Sequence, residues 1–356
     1  MNNETIIALP LSKKTINETE LFMKYKSSYT SAFIDFSVHS FLLCSSFYLL
    51  WYFRNSWLSV FTVPLLGALL HRGFVVFHDC CHNSYTPNKT INYILSSVYG
   101  ITTFTSSNWI LDHHTHHLTN GNIENVYNFK FNELLYWNKT QFKKFTFISK
   151  LAFGFFHTPL VFFTVFPVLY FFVIQRFLYL IKKWKYKTKI DKPFGTILYD
   201  HLVNNIGGFI LCYILYQNGL LYHYITSSYI GYLINFLLFF NQHIYNSPYV
   251  VGNNEWTQRN SGLLGSSFIQ IPSFLKYFTM GIEYHHIHHM NAKIPGYNLQ
   301  KYHEEVVSKS IMFDNVVKLS MMDCYNNLWL VLYDEDTKRY ITFAEADEET
   351  TKEKDI

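Results

Sequence analysis

Apolar residues are gathered into long blocks separated by short polar breaks. Phe36 to Phe53 and Trp57 to Phe77 are two such stretches of about 20 residues, the length that crosses a bilayer core of about 30 Å; Arg54-Asn55-Ser56 reads as the tight turn between them. Leu198 to Tyr216 and Leu220 to Phe240 form a second pair, parted by Gln217-Asn218-Gly219. The pattern predicts two helical hairpins crossing a membrane, with spans over 36–53, 57–77, 198–216 and 220–240. The Asn204-Asn205 pair makes the third span the most polar in its middle.

Two further apolar stretches do not fit as crossings. Leu151 to Val173 carries Pro159 and Pro167 and runs into Lys182-Lys183-Trp184-Lys185-Tyr186-Lys187-Thr188-Lys189. A crossing there would export the basic run, against the positive-inside tendency. A Pro-broken interfacial or re-entrant segment is expected instead. Ile91 to Ile110, interrupted by Gly100 and by threonines and serines, is expected to be re-entrant or buried against the spans. The chain divides into a polar N-terminal segment (1–30), a membrane unit (31–325) and a tail (326–356). That tail turns acidic at Glu345, Asp347, Glu348 and Glu349, and is expected to be solvated and partly disordered from Asp334 on.

Composition agrees with an all-α integral membrane protein. Apolar residues make up 49% and aromatic residues 19% of the 356, whereas charged residues make up only 15%, well below the roughly 25% of a soluble domain. The net charge of +4 is too small and dispersed for a nucleic-acid partner. Five cysteines without CxxC spacing, Cys80 and Cys81 adjacent, point to a reduced, cytosol-facing setting. Met1 to Tyr29 has no apolar core or small-residue cleavage site, so no cleaved secretory signal is expected.

Histidine is the residue whose distribution carries chemistry. Three segments stand out: His78-Asp79-Cys80-Cys81-His82, His113-His114-Thr115-His116-His117 and His285-His286-Ile287-His288-His289, which hold ten of the 17 histidines. Helical positions i, i+3 and i+4 share a face. His78 with His82, His113 with His116 and His117, and His285 with His288 and His289 are therefore expected each to converge on one point, while His114 and His286 turn away. Imidazole ligates transition metals, and one tetrahedral zinc needs four groups; eight imply two metals. His243, just past the fourth span, is a ninth candidate. The clusters follow spans on one predicted face, which places the site at the cytosolic membrane boundary. Ligating imidazoles usually donate their second N–H to a carboxylate or carbonyl, and Asp79, Asp112, Glu124 and Glu283 lie close enough in sequence. The remaining histidines, His39, His71, His157, His201, His223 and His303, are isolated and read as structural or interfacial.

Boxes of the form HxxxH, HxxHH and HxxHH, after two spans and again after four, resemble those of the integral-membrane fatty acid desaturase family. The likeness is closest to acyl-lipid desaturases of the delta-12 or omega-6 type, through His78-Asp79-Cys80-Cys81-His82-Asn83-Ser84, Asp112-His113-His114-Thr115-His116-His117 and His285-His286-Ile287-His288-His289 followed by Ile294-Pro295-Gly296-Tyr297. Cys81 stands where the family usually has Gly. The resemblance implies a non-heme di-iron centre that uses O2 and two electrons to place a cis double bond in a lipid-linked acyl chain. Its ligands would be His78, His82, His113, His116, His117, His243, His285, His288 and His289. Phe239 stands where animal acyl-CoA enzymes have an Asn near the metals. No fused heme-binding HPGG motif is present, so the resemblance implies an external electron donor such as cytochrome b5 or ferredoxin. The implied membrane is the endoplasmic reticulum in a eukaryote and the plasma membrane in a bacterium. Two other readings are a related di-iron hydroxylase, ketolase or acetylenase and, more remotely, a metal transporter; a transporter would string its ligands along a pore instead of gathering them at helix ends.

Overall fold

The computed structural model describes residues 16–124, 137–178 and 193–346, and within them the protein is mainly helical. Helix α1 (Glu18–Tyr25) is capped by the Asn17 side chain and carries Glu18 and Glu20 in its first turn, where the helix dipole favours acids. It docks by Leu21, and by Lys24 and Tyr25 reaching Glu305. The polar N-terminal segment is therefore structured from residue 16. Helices α2 (Tyr29–Phe53) and α3 (Ser59–Cys81) follow as the first long hairpin. At 25 and 23 residues they rise about 37 and 34 Å, enough to cross a bilayer core.

Helix α4 (Lys89–Thr102) packs against α3, where a Cβ at Gly100 would lie 3.4 Å from the Phe77 ring, and the same Cβ would lie 2.4 Å from the Thr105 carbonyl in the loop that follows. The short helix α5 (Ile110–Thr119) then carries the second histidine box. After α6 (Lys139–Lys143), helices α7 (Phe147–Phe156) and α8 (Pro159–Val168) meet at a 77° bend, and α8 continues as π-helix Leu169–Leu178. Pro159 opens α8, where its missing N–H costs nothing. The bend suits either a broken span or a re-entrant segment. The basic run 182–189 lies outside the described residues.

The second long pair is α9 (Phe194–Gln217) and α10 (Leu221–His243). By length and apolarity α2, α3 and α9 can each cross a membrane, and the bent pair would make a fourth. The expected fourth span falls on α10, which is long enough but not among those helices, because its apolar run is broken by Ser227, Ser228, Asn235, Asn241 and Gln242. Two of these polar groups bond across to α3: Ser227 Oγ donates to the Val63 carbonyl, and Asn235 Oδ1 sits 2.6 Å from His71 Nδ1. Likewise Asn204, midway in α9, donates to the Thr105 carbonyl. Ser227, Asn235 and Asn204 are thus satisfied from neighbouring parts of the chain, as a hydrocarbon surrounding favours, whereas the buried Ser228 hydroxyl has no hydrogen-bond partner among the described residues.

Helix α3 is central, packed by α2, α4 and α10. It crosses α10 at two glycines: a Cβ at Gly67 would lie 2.8 Å from the Ser227 carbonyl, and one at Gly231 would lie 3.0 Å from the Gly67 carbonyl. Small residues let the two backbones approach this closely. Beyond α10, helix α11 (Gln258–Leu264), strand β1 (Phe268–Ile269), helices α12 (His285–Met290) and α13 (Gly296–Lys309) and strand β2 (Lys318–Leu319) build a cap, in which β1 pairs in parallel with β2.

The tail reading needs correction. Residues β3 (Leu330–Asp334) and β4 (Arg339–Thr342) form an antiparallel hairpin whose Leu332 and Ile341 are buried with Phe142 and Phe153. Asp334 fixes the turn by accepting from the Asp336 N–H and the Thr337 hydroxyl, and pairs with Lys139 at 3.4 Å. The acidic residues hid a short alternation that the sequence reading passed over; Asp347, Glu348 and Glu349 lie outside the described residues.

Candidate metal centre

The first box is delivered by the end of α3. Asn83 takes a left-handed conformation (φ 54°), and the Ser84 N–H returns to the Asp79 carbonyl at 2.9 Å. This closes the helix immediately after His82. His78 and His82, one turn apart, are thereby left on its last turn. His243 is the final residue of α10. The other two boxes ride on the short helices α5 and α12.

Nine imidazoles assemble into two groups: His78, His82, His113, His117 and His288, and His116, His243, His285 and His289; within each, one ligand atom per residue lies within 4.8 Å of the others. All nine sequence candidates are included. His114 and His286 are outside both, as expected from their helical phase.

The expectation that each box converges on one point holds only for the first. Each HxxHH box divides: α5 gives the i, i+4 pair His113 and His117 to one group and His116 to the other, and α12 does the reverse, giving His285 and His289 to the second and His288 to the first. Two short helices thus bridge the groups, while α3 feeds only one and α10 only the other. Where α3 supplies two ligands four residues apart, α10 supplies His243 alone. Four residues earlier stands Phe239, its ring packed 5.2 Å from that of His116 and 5.3 Å from that of His243.

Distances within the groups fit a metal. Nε2–Nε2 separations are 3.1 Å for His78–His113, 3.0 Å for His113–His117 and 3.0 Å for His117–His288. In the second group they are 3.1 Å for His116–His243, 3.0 Å for His243–His285, 3.1 Å for His285–His289 and 3.2 Å for His116–His289. With metal–nitrogen bonds of about 2.0–2.1 Å, ligands at a right angle stand about 3.0 Å apart and those at a tetrahedral angle about 3.4 Å apart. Separations of this size are compatible with imidazoles that share a metal ion. None of the nine is more than 8% exposed. Burial first, and neighbouring imidazoles second, hold the pKa of His113, His116, His117, His285, His288 and His289 well below the ordinary histidine range. Neutral rings keep their lone pairs for metal.

The four acidic candidates part ways. Asp79 Oδ1 sits 3.2 Å from His78 Nδ1, and its Oδ2 accepts from the Gly296 N–H. Asp112 is buried on α5. Glu283 is buried but accepts no hydrogen bond from any of the nine histidines; burial raises its pKa. Glu124 is exposed and bonds Asn253. Supports that the sequence reading missed include the Gly265 carbonyl, 3.1 Å from His243 Nδ1, and Trp109, stacked on His113 at 4.3 Å. Gln258 is another, donating to the carbonyls of both His117 and His289. The Gly265 and Gln258 contacts come from the cap, and no local spacing encodes them.

Beside the centre lies an apolar pocket lined by Phe74, Trp109, Phe171 and Ile282 and reached by His78 and His113 of one group and His285 of the other. A second lies between α8, α10 and the hairpin, against Val161, Phe162, Leu330 and Tyr340. Phe166, Phe236 and Phe239 line both.

Comparison with known proteins agrees with this geometry. The fatty acid desaturase family model matches residues 55–313, a range that contains all nine histidines. A fatty acid desaturase of Bacillus subtilis is 27% identical over 293 residues, covering 81% of this chain and 78% of that protein. The sn-1 acyl-lipid omega-3 desaturase (ferredoxin) of Synechocystis is 31% identical over 108 residues, 27% of this chain and 29% of its own length. With its histidine boxes folded into two metal-competent groups and the family match spanning most of its length, this chain belongs to the fatty acid desaturase family.

Proposed function

We propose that the protein desaturates a lipid-linked acyl chain, of the delta-12 or omega-6 type, at a di-iron centre held by His78, His82, His113, His117 and His288 on one side and His116, His243, His285 and His289 on the other. The observation that carries the reading is the apolar cavity against which imidazoles of both groups stand. A methylene chain needs such a dry, apolar wall, and its two adjacent carbons need one oxidising centre within reach.

Bound iron would supply the activation of O2 that side chains alone cannot. The protein's own part is to hold, orient and exclude. Neutral imidazoles bring no charge that would offset the metals. Trp109 and Phe239 shield the ligand rings from water, and Asp79 and the Gly265 carbonyl fix the rings of His78 and His243. The two cavities meeting at Phe239 give the acyl chain a bent path beside the second group. Electrons come from an external donor, cytochrome b5 or ferredoxin; the Synechocystis relative, whose name specifies ferredoxin, supports the latter. The metals face the cytosol, from the endoplasmic reticulum or a bacterial plasma membrane.

The test is gas chromatography of fatty acid methyl esters from yeast making this protein, beside a His288→Ala control. A new dienoic ester absent from the control is the expected result. Hydroxylated or acetylenic esters would instead assign the related hydroxylase or acetylenase chemistry, and an unchanged profile with a fully iron-loaded protein would overturn the reading.

A further inference from the structure

Desaturation consumes electrons that must enter from outside, and the structure narrows where. Resting on the function proposed above, the balance is –CH2–CH2– plus O2, two electrons and two protons giving –CH=CH– and two waters. The two electrons arrive from a one-electron carrier protein oxidised in two encounters. With every ligand imidazole at most 8% exposed, no carrier touches the centre itself. It must stand where the wall is thinnest.

Of the ten box histidines only His114 is not buried, and its ring lies 5.4 Å from that of the ligand-forming His82. Lys293, exposed at the end of the third-box loop, donates from Nζ to the His82 carbonyl. Lys89, exposed at the start of α4, is near enough for its charge to act on Lys293. Elsewhere on the cap some exposed cations are paired, Lys24 and Lys309 with Glu305 and Arg259 with Glu18, and others, Lys301 and Lys318, are not, but neither of these two hydrogen-bonds a ligand-forming residue among those described. Among the described residues Lys89 and Lys293 have no such carboxylate. Two unpaired positive charges thus flank the one box histidine that reaches the surface.

We infer that Lys89, Lys293 and His114 form the docking face for an acidic one-electron carrier protein, with electrons passing by way of His114 and His82 into the first metal group. Unpaired rim charges of this kind steer encounter and fix orientation. Because they are exposed, their effect is screened over a Debye length of about 8 Å at physiological salt.

The test uses the full iron-loaded chain in neutral phosphatidylcholine nanodiscs, titrated with an acidic [2Fe–2S] ferredoxin at low and high salt. Wild-type binding is expected to weaken with salt, and K89E and K293E each to lower low-salt affinity about tenfold. K338E, in the hairpin turn that packs on α6, is expected to bind as wild type. Iron content checks that K89E is folded. In turnover, K89E should lose rate with ferredoxin and its reductase but not with a dithionite-reduced dye. Equal affinity of K89E and wild type overturns the docking face, as does an equal loss in K338E. So does a K89E defect confined to vesicles of anionic lipid, which would assign the lysines to headgroups. Absence of any desaturated product with either reductant overturns the proposed function instead, while the affinities still decide the docking face.

Discussion

Asp79 and Gly296, 217 residues apart, are joined by a hydrogen bond from the Gly296 N–H to Asp79 Oδ2 at 2.6 Å. The other oxygen of the same carboxylate faces His78 Nδ1. One acid thus ties the first box to the first turn of α13, and thereby to the end of the loop that follows the third box. Asp79→Ala is expected to lower iron affinity by about 10–100-fold, the usual cost of losing a ligand's orienting partner. Iron titration of the purified apoprotein measures it, and an unchanged affinity would remove Asp79 from the centre.

The divided boxes predict a graded metal loss. His288→Ala should weaken iron in the first group, which keeps four imidazoles, and spare the second, whereas His289→Ala, which leaves the second group three, should cost that group its iron; both should abolish turnover. Iron analysis beside product analysis checks both. If each box served a single metal, the two neighbours would act alike.

Phe239 lies with Phe166 and Phe236 between the two cavities and stands against the smaller ligand group. Phe239→Ala widens the passage between the cavities and removes part of the wall that, on the proposed function, would bend the acyl chain. The expected outcome is a spread of double-bond positions with iron content preserved, read by mass spectrometry of dimethyl disulfide adducts. A single unchanged position would show that Phe239 does not set the register.

Acid should destabilise the cap through His303. Its ring is 3.2 Å from His286 and stacks on Phe313, and burial lowers its pKa from 6.5 to about 4. A histidine depressed in the fold binds its proton first in the unfolded chain. Its contribution is therefore intact above pH 6.5 and is lost as the pH falls from there toward 4. Thermal unfolding of the apoprotein between pH 7 and 5 should show the decline, to which the buried box histidines also contribute, and His303→Phe should make it shallower by the share of one histidine.

Much of this was legible in the sequence because helical phase is a local property. The i, i+3, i+4 spacing of the boxes named eight of the nine imidazoles and excluded His114 and His286, and His243 was a candidate from its place just past the fourth span. Which imidazole goes to which group was not legible, since that depends on how α5 and α12 lie between α3 and α10. The polar face of α10 read as a plain span because Ser227 and Asn235 reveal their partners only across the packed helices. The hairpin at 330–342 was missed because its strands are short and their buried residues are interleaved with charges that a composition reading counts as tail.

The close approach of Gly67 and Gly231 acts at a distance from the chemistry. From that crossing α3 runs eleven residues to His78 and α10 twelve to His243, each a lever of about 17 Å. One lever ends in the first metal group and the other in the second. The gap between the two histidine groups is therefore gauged by the width of two backbones at that crossing, where the absence of a methyl group on either helix sets the calibration.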